Sequence, residues 1–188
     1  MSEKLKLTLL GHIEIRRDGI AVTNITGKTL ALLSYLAVTG RPHTRPALAG
    51  LLWGGMPEAK ARGNLSKALS TLRGSFGEYL TITRQTVAFE READYWLDVE
   101  AFEVKMQGAE TGDGIDQLRE AVELYRGDFL DGFYVRDALE FEEWVLAQRA
   151  QLRESALRGL HTLAAHFAEK GEAGRRTAID HALSLIHI

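Results

Sequence analysis

Between residues 57 and 73 the chain interleaves Lys60, Arg62, Asn64, Ser66, Lys67, Ser70, Thr71 and Arg73 with Ala61, Leu65, Ala68, Leu69 and Leu72. The apolar set recurs at helical spacing and gathers on one side, while Lys60, Asn64, Lys67, Ser70 and Thr71 project from the other. Amide and ammonium groups on such a face match the donor and acceptor pattern of base edges in a DNA major groove. Ser66, Ser70 and Thr71 are short enough for close approach. Gly63 is shorter still, at a helix cost of about 1 kcal/mol. Arg62 and Arg73 flank the core seam and suit phosphates. Thr44 and Arg45 open the preceding helix, where backbone N–H groups and a cation converge on an anion. Arg84, at the tip of a following hairpin, can reach the minor groove or the adjacent backbone. Singly, each residue reads as well as an ordinary solvated side chain; their joint placement makes the case.

Bond-making chemistry finds no comparable support. His161 and His166 lie five apart and so do not share a helix face as i, i+4 ligands would; His12, His43, His181 and His187 are scattered. No GxxxxGK[ST] loop occurs, and Gly108, Gly112 and Gly114 follow no strand. Ser34, Ser66, Ser70 and Ser155 lack a GxSxG setting. Glu140, Glu142 and Glu143 read as a solvated helix face. We therefore expect no enzyme, no catalytic residue, no metal site and no cofactor.

The elements that must position the polar face follow from patterning. Leu5, Leu7, Leu9, Ile13 and Ile15 alternate with polar neighbours, and Asp18-Gly19 marks a tight turn before Ile20, so the chain opens with a small antiparallel sheet. Residues 29–38 form an apolar-rich helix with Gly40 as its stop. Thr44 caps the next helix, Pro46 occupies its first turn, and Leu48, Leu51, Leu52 and Trp53 face its core. Pro57 starts the long polar-faced helix, which runs to about Gly74. Leu80 and Ile82, then Val87 and Phe89, flank a turn at 84–86 as a hairpin. A sheet, three helices and a basic-tipped hairpin, in that order, is how a winged helix-turn-helix presents itself to DNA.

Charge divides the chain. Residues 1–97 carry 13 Lys and Arg against 8 Asp and Glu, a balance of +5, whereas residues 98–188 carry 10 against 18, a balance of −8. Such asymmetry suits a first half that meets a polyanion, although solubility alone also produces it. There is no cysteine among the 188 residues. With no signal-peptide block and no membrane-length apolar run, a cytoplasmic protein that does not engage membranes is expected.

After Asp94 the texture turns helical. Val99, Phe102 and Met106 space one helix, and Ile115, Leu118, Val122 and Tyr125 another. Residues 127–138 form a loop carrying Phe129, Leu130, Phe133 and Tyr134, expected to fold back over the helices. A helical pattern then runs over residues 139–170, with Gly159 as a place for a bend. Repeated helical hairpins of this kind resemble a tetratricopeptide-type array, though no 34-residue motif aligns. LSLIHI at 183–188 resembles the translation of a sequencing-library adapter, so a non-native tail on a longer natural protein is expected there.

These residues carry a family resemblance. KLKLTLLG at 4–11, GKTLALLSYLA at 27–37, LAGLLW at 48–53 and ARGNLSKALSTLR at 61–73 resemble the DNA-binding part of the bacterial transcriptional activator domain regulators, including the antibiotic-regulatory (SARP) type. DVEAF at 98–102, LYRGDFLDGF at 124–133, EFEEW at 140–144 and LAAHFAEKGE at 163–172 resemble their helical part. The resemblance implies an α+β amino-terminal winged helix-turn-helix of response-regulator type over residues 1–94. An all-α, tetratricopeptide-like activator domain follows over residues 95–182, truncated, with the tail at 183–188. It further implies a transcription activator that binds double-stranded promoter DNA at repeated sites, often as a homodimer, and contacts RNA polymerase. The competing reading is a scaffold whose acidic helical half binds a protein partner while the winged fold is structural.

Overall fold

The computed structural model describes residues 5–109 and 114–170, with side chains to residue 168. They form two compact units that interleave along the sequence. The first comprises the described residues up to Leu7, Glu14–Trp96 and Gly132–Leu146; the second comprises Thr8–Ile13, the described residues of Leu97–Asp131, and those from Ala147 onward.

The first unit opens with β1 (Leu5–Thr8), β2 (Glu14–Arg17) and β3 (Ile20–Ala21). Arg17 pairs with Ile20 in antiparallel register, and the two residues between them, Asp18 and Gly19, have φ of 50° and 79°. Positive φ at both positions is what a two-residue hairpin needs to match strand twist. Next come α1 (Gly27–Thr39), β4 (His43–Thr44), α2 (Arg45–Trp53) and α3 (Glu58–Phe76). After a short 3-10 turn the chain forms β5 (Leu80–Ile82), β6 (Thr86–Phe89) and β7 (Tyr95–Leu97). The strands build one sheet in the order β3-β2-β1-β7 and a second in the order β4-β6-β5.

The Gly40 stop is where the sequence puts it. Gly40 follows α1 at φ 60° and donates its N–H to Leu36 O at 3.1 Å, a left-handed cap open to glycine at no steric cost. The third helix runs two residues past Gly74 because Phe76 is itself fully buried. Neither β4 nor β7 is legible as a strand, since two or three residues leave no alternation to read. The core of this unit gathers Leu7, Leu33, Leu36, Leu52, Leu72 and Phe76, all fully buried.

The segment Gly132–Leu146 packs in the same unit, although it lies far downstream. Phe133 meets Phe141 edge-on with centroids 6.4 Å apart, and Trp144 lies 5.5 Å from Phe141 and 4.8 Å from Tyr35 of α1. Two expectations need correction here. Tyr134 does not fold back over helices but is 70% exposed. Glu142 is not a purely solvated carboxylate: it is half-buried and accepts the Val135 N–H at 2.8 Å, fixing the loop ahead of its own helix.

The second unit contains α4 (Asp98–Ala109), α5 (Ile115–Leu124) and, from Ala147, the length of α6 (Leu139–Lys170). Leu118, Val122, Leu160 and Leu163 form its apolar cluster with Met106 and Phe167 against it. Gly159 provides close approach: a Cβ there would sit 3.1 Å from Val122 and 3.2 Å from Leu118. In the loop, Phe129 and Leu130 are fully buried, as expected of apolar groups in that loop. Leu130 donates its N–H to Leu9 O at 2.8 Å, and Gly11 donates to Asp128 O at 2.9 Å.

Asp98, the first residue of α4, is buried. One carboxylate oxygen accepts the N–H groups of Leu9 and Leu10, each at 2.8 Å, and the other accepts that of Val99 at 2.8 Å. Burial pushes its pKa up to about 6, against the opposing pull of these backbone donors.

Candidate nucleic-acid interface

Helix α3 divides as its spacing demands. Leu65, Leu69 and Leu72 are at most 3% exposed, and Ala61, Ala68 and Phe76 complete the buried arc. Each fully buried leucine contributes about 2 kcal/mol, so the register of the opposite face is fixed by the core. At 100° per residue, Gly63, Lys67, Ser70 and Gly74 stand opposite that arc. Lys60, Arg62, Ser66, Lys67, Ser70, Thr71 and Arg73 are all exposed, as is Arg84 on the hairpin turn. Among the described residues, Lys60, Lys67, Arg73 and Arg84 make no ion pair, while Arg62 pairs with Glu58 one turn earlier at 3.4 Å.

Asn64 departs from the expected outward position. It is half-buried, at the margin of the apolar arc, and its amide donates to Met56 Sδ at 3.4 Å in the turn between α2 and α3. A helical position beside the core seam sees the preceding loop as well as solvent, which residue spacing alone does not distinguish. Two hydroxyls on the face return to their own helix: Ser66 Oγ donates to Arg62 O at 2.9 Å, and Thr71 Oγ1 to Lys67 O at 3.2 Å. Both oxygens keep acceptor capacity.

The start of α2 is held by strand pairing. His43 pairs with Val87 and Thr44 with Thr86, so β4 delivers α2 directly beside the β5–β6 hairpin. Thr44 Oγ1 accepts the Ala47 N–H at 3.3 Å and caps the helix, leaving Thr44 exposed at its amino end. Behind it His43 is buried, its ring tilted against that of Tyr35 with centroids 4.8 Å apart. Thr39 Oγ1 donates to Tyr35 O at 2.7 Å, so its 2.7 Å contact with His43 Nε2 requires the ring nitrogen to carry the proton. Burial first, and the neighbouring Arg41 charge second, push the His43 pKa down. The neutral ring is the favoured form.

Arg45 differs most from its expected role as a phosphate cation. It is half-buried, and its guanidinium donates to Thr83 O at 3.1 Å and to Ser66 Oγ at 3.3 Å, while its backbone N–H donates to Gln85 O at 2.9 Å. One residue thus joins α2, α3 and both sides of the hairpin turn. The turn is organised by Thr83, whose Oγ1 accepts the N–H groups of Thr86 at 2.8 Å and Gln85 at 3.2 Å. Sequence reading missed this bridge, because a helix-opening arginine carries no local sign of partners found 21 and 38 residues away.

Among the described residues, no three His, Asp or Glu side chains are grouped to hold a metal, and no helix is long and apolar enough to cross a membrane.

Residues 97–188 match the profile of the bacterial transcriptional activator domain. Over those residues the resemblance of the helical part to the bacterial transcriptional activator domain, a domain of transcriptional regulators, is borne out. The fold is similar to that of Mycobacterium tuberculosis EmbR, a structure solved in complex with a low affinity phosphopeptide, with a TM-score of 0.70 and 24% identity. That similarity covers 95% of this chain and 48% of EmbR, so the chain spans about half the length of that protein. No curated protein matches the sequence.

Proposed function

We propose that this chain is a sequence-specific DNA-binding transcription regulator that reads promoter DNA through the exposed face of α3 and the β5–β6 hairpin. In this reading α2 and α3 are the helix-turn-helix, α3 is the recognition helix and the hairpin is the wing. Residues 1–94 carry DNA recognition. Residues 95–182 belong to the activator domain, whose described helices read as a tetratricopeptide-like array, and through it RNA polymerase is contacted and a homodimer assembled on repeated sites. The protein works in the cytoplasm.

The observation that carries the proposal is the pairing of a fixed core face with an unpaired basic face. Leu65, Leu69 and Leu72 lock α3, and Lys60, Lys67, Arg73 and Arg84 stand exposed with no carboxylate partner among the described residues. Carboxylates three or four positions away can pair with helix cations; on α3 only Arg62 finds one. Phosphates supply the missing counter-charge. Lys67 and Ser70 face base edges and the phosphates beside them, Lys60, Arg62, Arg73 and the Thr44 end of α2 meet phosphates, and Arg84 follows the groove next to them. Asn64 contributes from the margin once its weak thioether bond is exchanged for a base or phosphate.

Selection of bound sites from random duplex DNA tests this directly. Enrichment of a repeated motif is expected. Recovery of no motif, with binding no tighter than to random duplex, leaves the protein-binding scaffold as the better reading.

A further inference from the structure

We infer that Arg45 is a positioning residue that sets the hairpin tip against α3 and so fixes where Arg84 meets DNA; this rests on the DNA-binding reading above. A guanidinium is a planar fork with five donors, suited to holding two acceptors in fixed relation. Here the fork spans Thr83 O on the hairpin and Ser66 Oγ on α3, at 3.1 and 3.3 Å. The same residue's backbone N–H holds Gln85 O at 2.9 Å. Thr83 and Gln85 bracket Arg84, so both peptide neighbours of the tip arginine are tied to Arg45. Ser66 lies next to Lys67 on α3. The bridge therefore connects the immediate neighbours of Lys67 and Arg84, two of the exposed cations assigned to DNA.

The arrangement is internally consistent in its donors. Ser66 Oγ spends its proton on Arg62 O, leaving a lone pair for Arg45, and Thr83 uses its carbonyl for Arg45 while its hydroxyl organises the turn. Thr83 orders the turn internally and β4 pairs with β6, while the Arg45 side chain adds a bond from the turn across to α3. Pre-setting the tip before DNA arrives removes an ordering cost from binding.

Substitution with lysine separates this role from a phosphate contact. Lysine keeps the charge but cannot fork across two acceptors. In the full chain, Arg45→Lys and Arg45→Ala should both raise amide exchange at Thr83, Gln85 and Thr86 in the free protein by about tenfold, the effect of losing a hydrogen bond from a charged donor. Ser66→Ala, which leaves the charge in place, should give a smaller rise in the same amides. Against a selected duplex, Arg45→Lys should lose as much affinity as Arg45→Ala, and adding Arg84→Ala to either should cost little more. Unchanged exchange at the hairpin overturns the inference whatever binding does. Wild-type affinity in Arg45→Lys overturns it as well. If the wild-type chain selects no duplex, the DNA reading and the Arg84 role fall together, whereas faster hairpin exchange in these variants still identifies the bridge.

Discussion

Tyr35 on α1 and Trp144 on α6 meet edge to face with ring centroids 4.8 Å apart, inside the first of the two units. The amino-terminal unit is thus completed by aromatic residues more than a hundred positions downstream, which also bring Phe141, fully buried, and the Lys28 Nζ bond to Asp137 O at 2.9 Å.

A chain ending at residue 94 is accordingly expected to be less stable than the amino-terminal unit of the whole protein. Trp144→Ala in the full chain should destabilise that unit by about 2 kcal/mol, combining lost burial of a half-buried ring with a lost aromatic pair. Urea unfolding followed by helix signal measures both. Equal stability of the 1–94 fragment and the full chain would show that residues 132–146 add nothing to this unit.

Acidity should act on the second unit through Asp98. Its folded pKa of about 6 lies above the ordinary 3.8, so the folded state holds the proton more tightly. Its stabilising contribution is complete below the ordinary value and is lost as pH rises through 6, by roughly 3 kcal/mol across the window. Asp98→Asn should remove that dependence, and the difference between the two stability curves from pH 4 to 7 measures it. Parallel curves would show that Asp98 titrates normally.

His43 has the opposite sign. Its folded pKa is pushed below the ordinary 6.5, so it contributes stability above that value and loses it as pH falls through the lower folded pKa. His43→Gln should unfold with a shallower pH dependence below 6.5 than the wild-type chain. Identical acid profiles would contradict the burial of a neutral ring there.

Local chemistry was readable in the sequence wherever one element sufficed. The Asp18-Gly19 turn, the Gly40 stop, the Thr44 cap and the buried arc of α3 each follow from residues within a turn or two of one another. What was not readable depends on distant partners. Trp144 occupies an ordinary helical position until Tyr35 is placed against it, and Asp98 looks like a helix-opening carboxylate until Leu9 and Leu10 donate to it. The candidate interface divides along the same line. The exposure of Lys67 follows from Leu65 and Leu69, whereas the bridge made by Arg45 and the half-burial of Asn64 depend on the hairpin and on the turn at Met56.

On the polar face, Lys67→Ala should weaken binding to a selected duplex and reduce the slope of log K against log[salt] by about 0.9, the value of one phosphate contact. Helix content should stay at the wild-type level, since Lys67 is exposed and makes no ion pair among the described residues. An unchanged slope would mean that Lys67 touches no phosphate.

The salt dependence of wild-type binding to a selected duplex tests the central claim most directly. With Lys60, Arg62, Lys67, Arg73 and Arg84 as the proposed phosphate contacts, log K should fall linearly with log[salt] with a slope of about −4.5. A slope near zero, or the same affinity for random duplex at every salt concentration, would contradict DNA reading by this face.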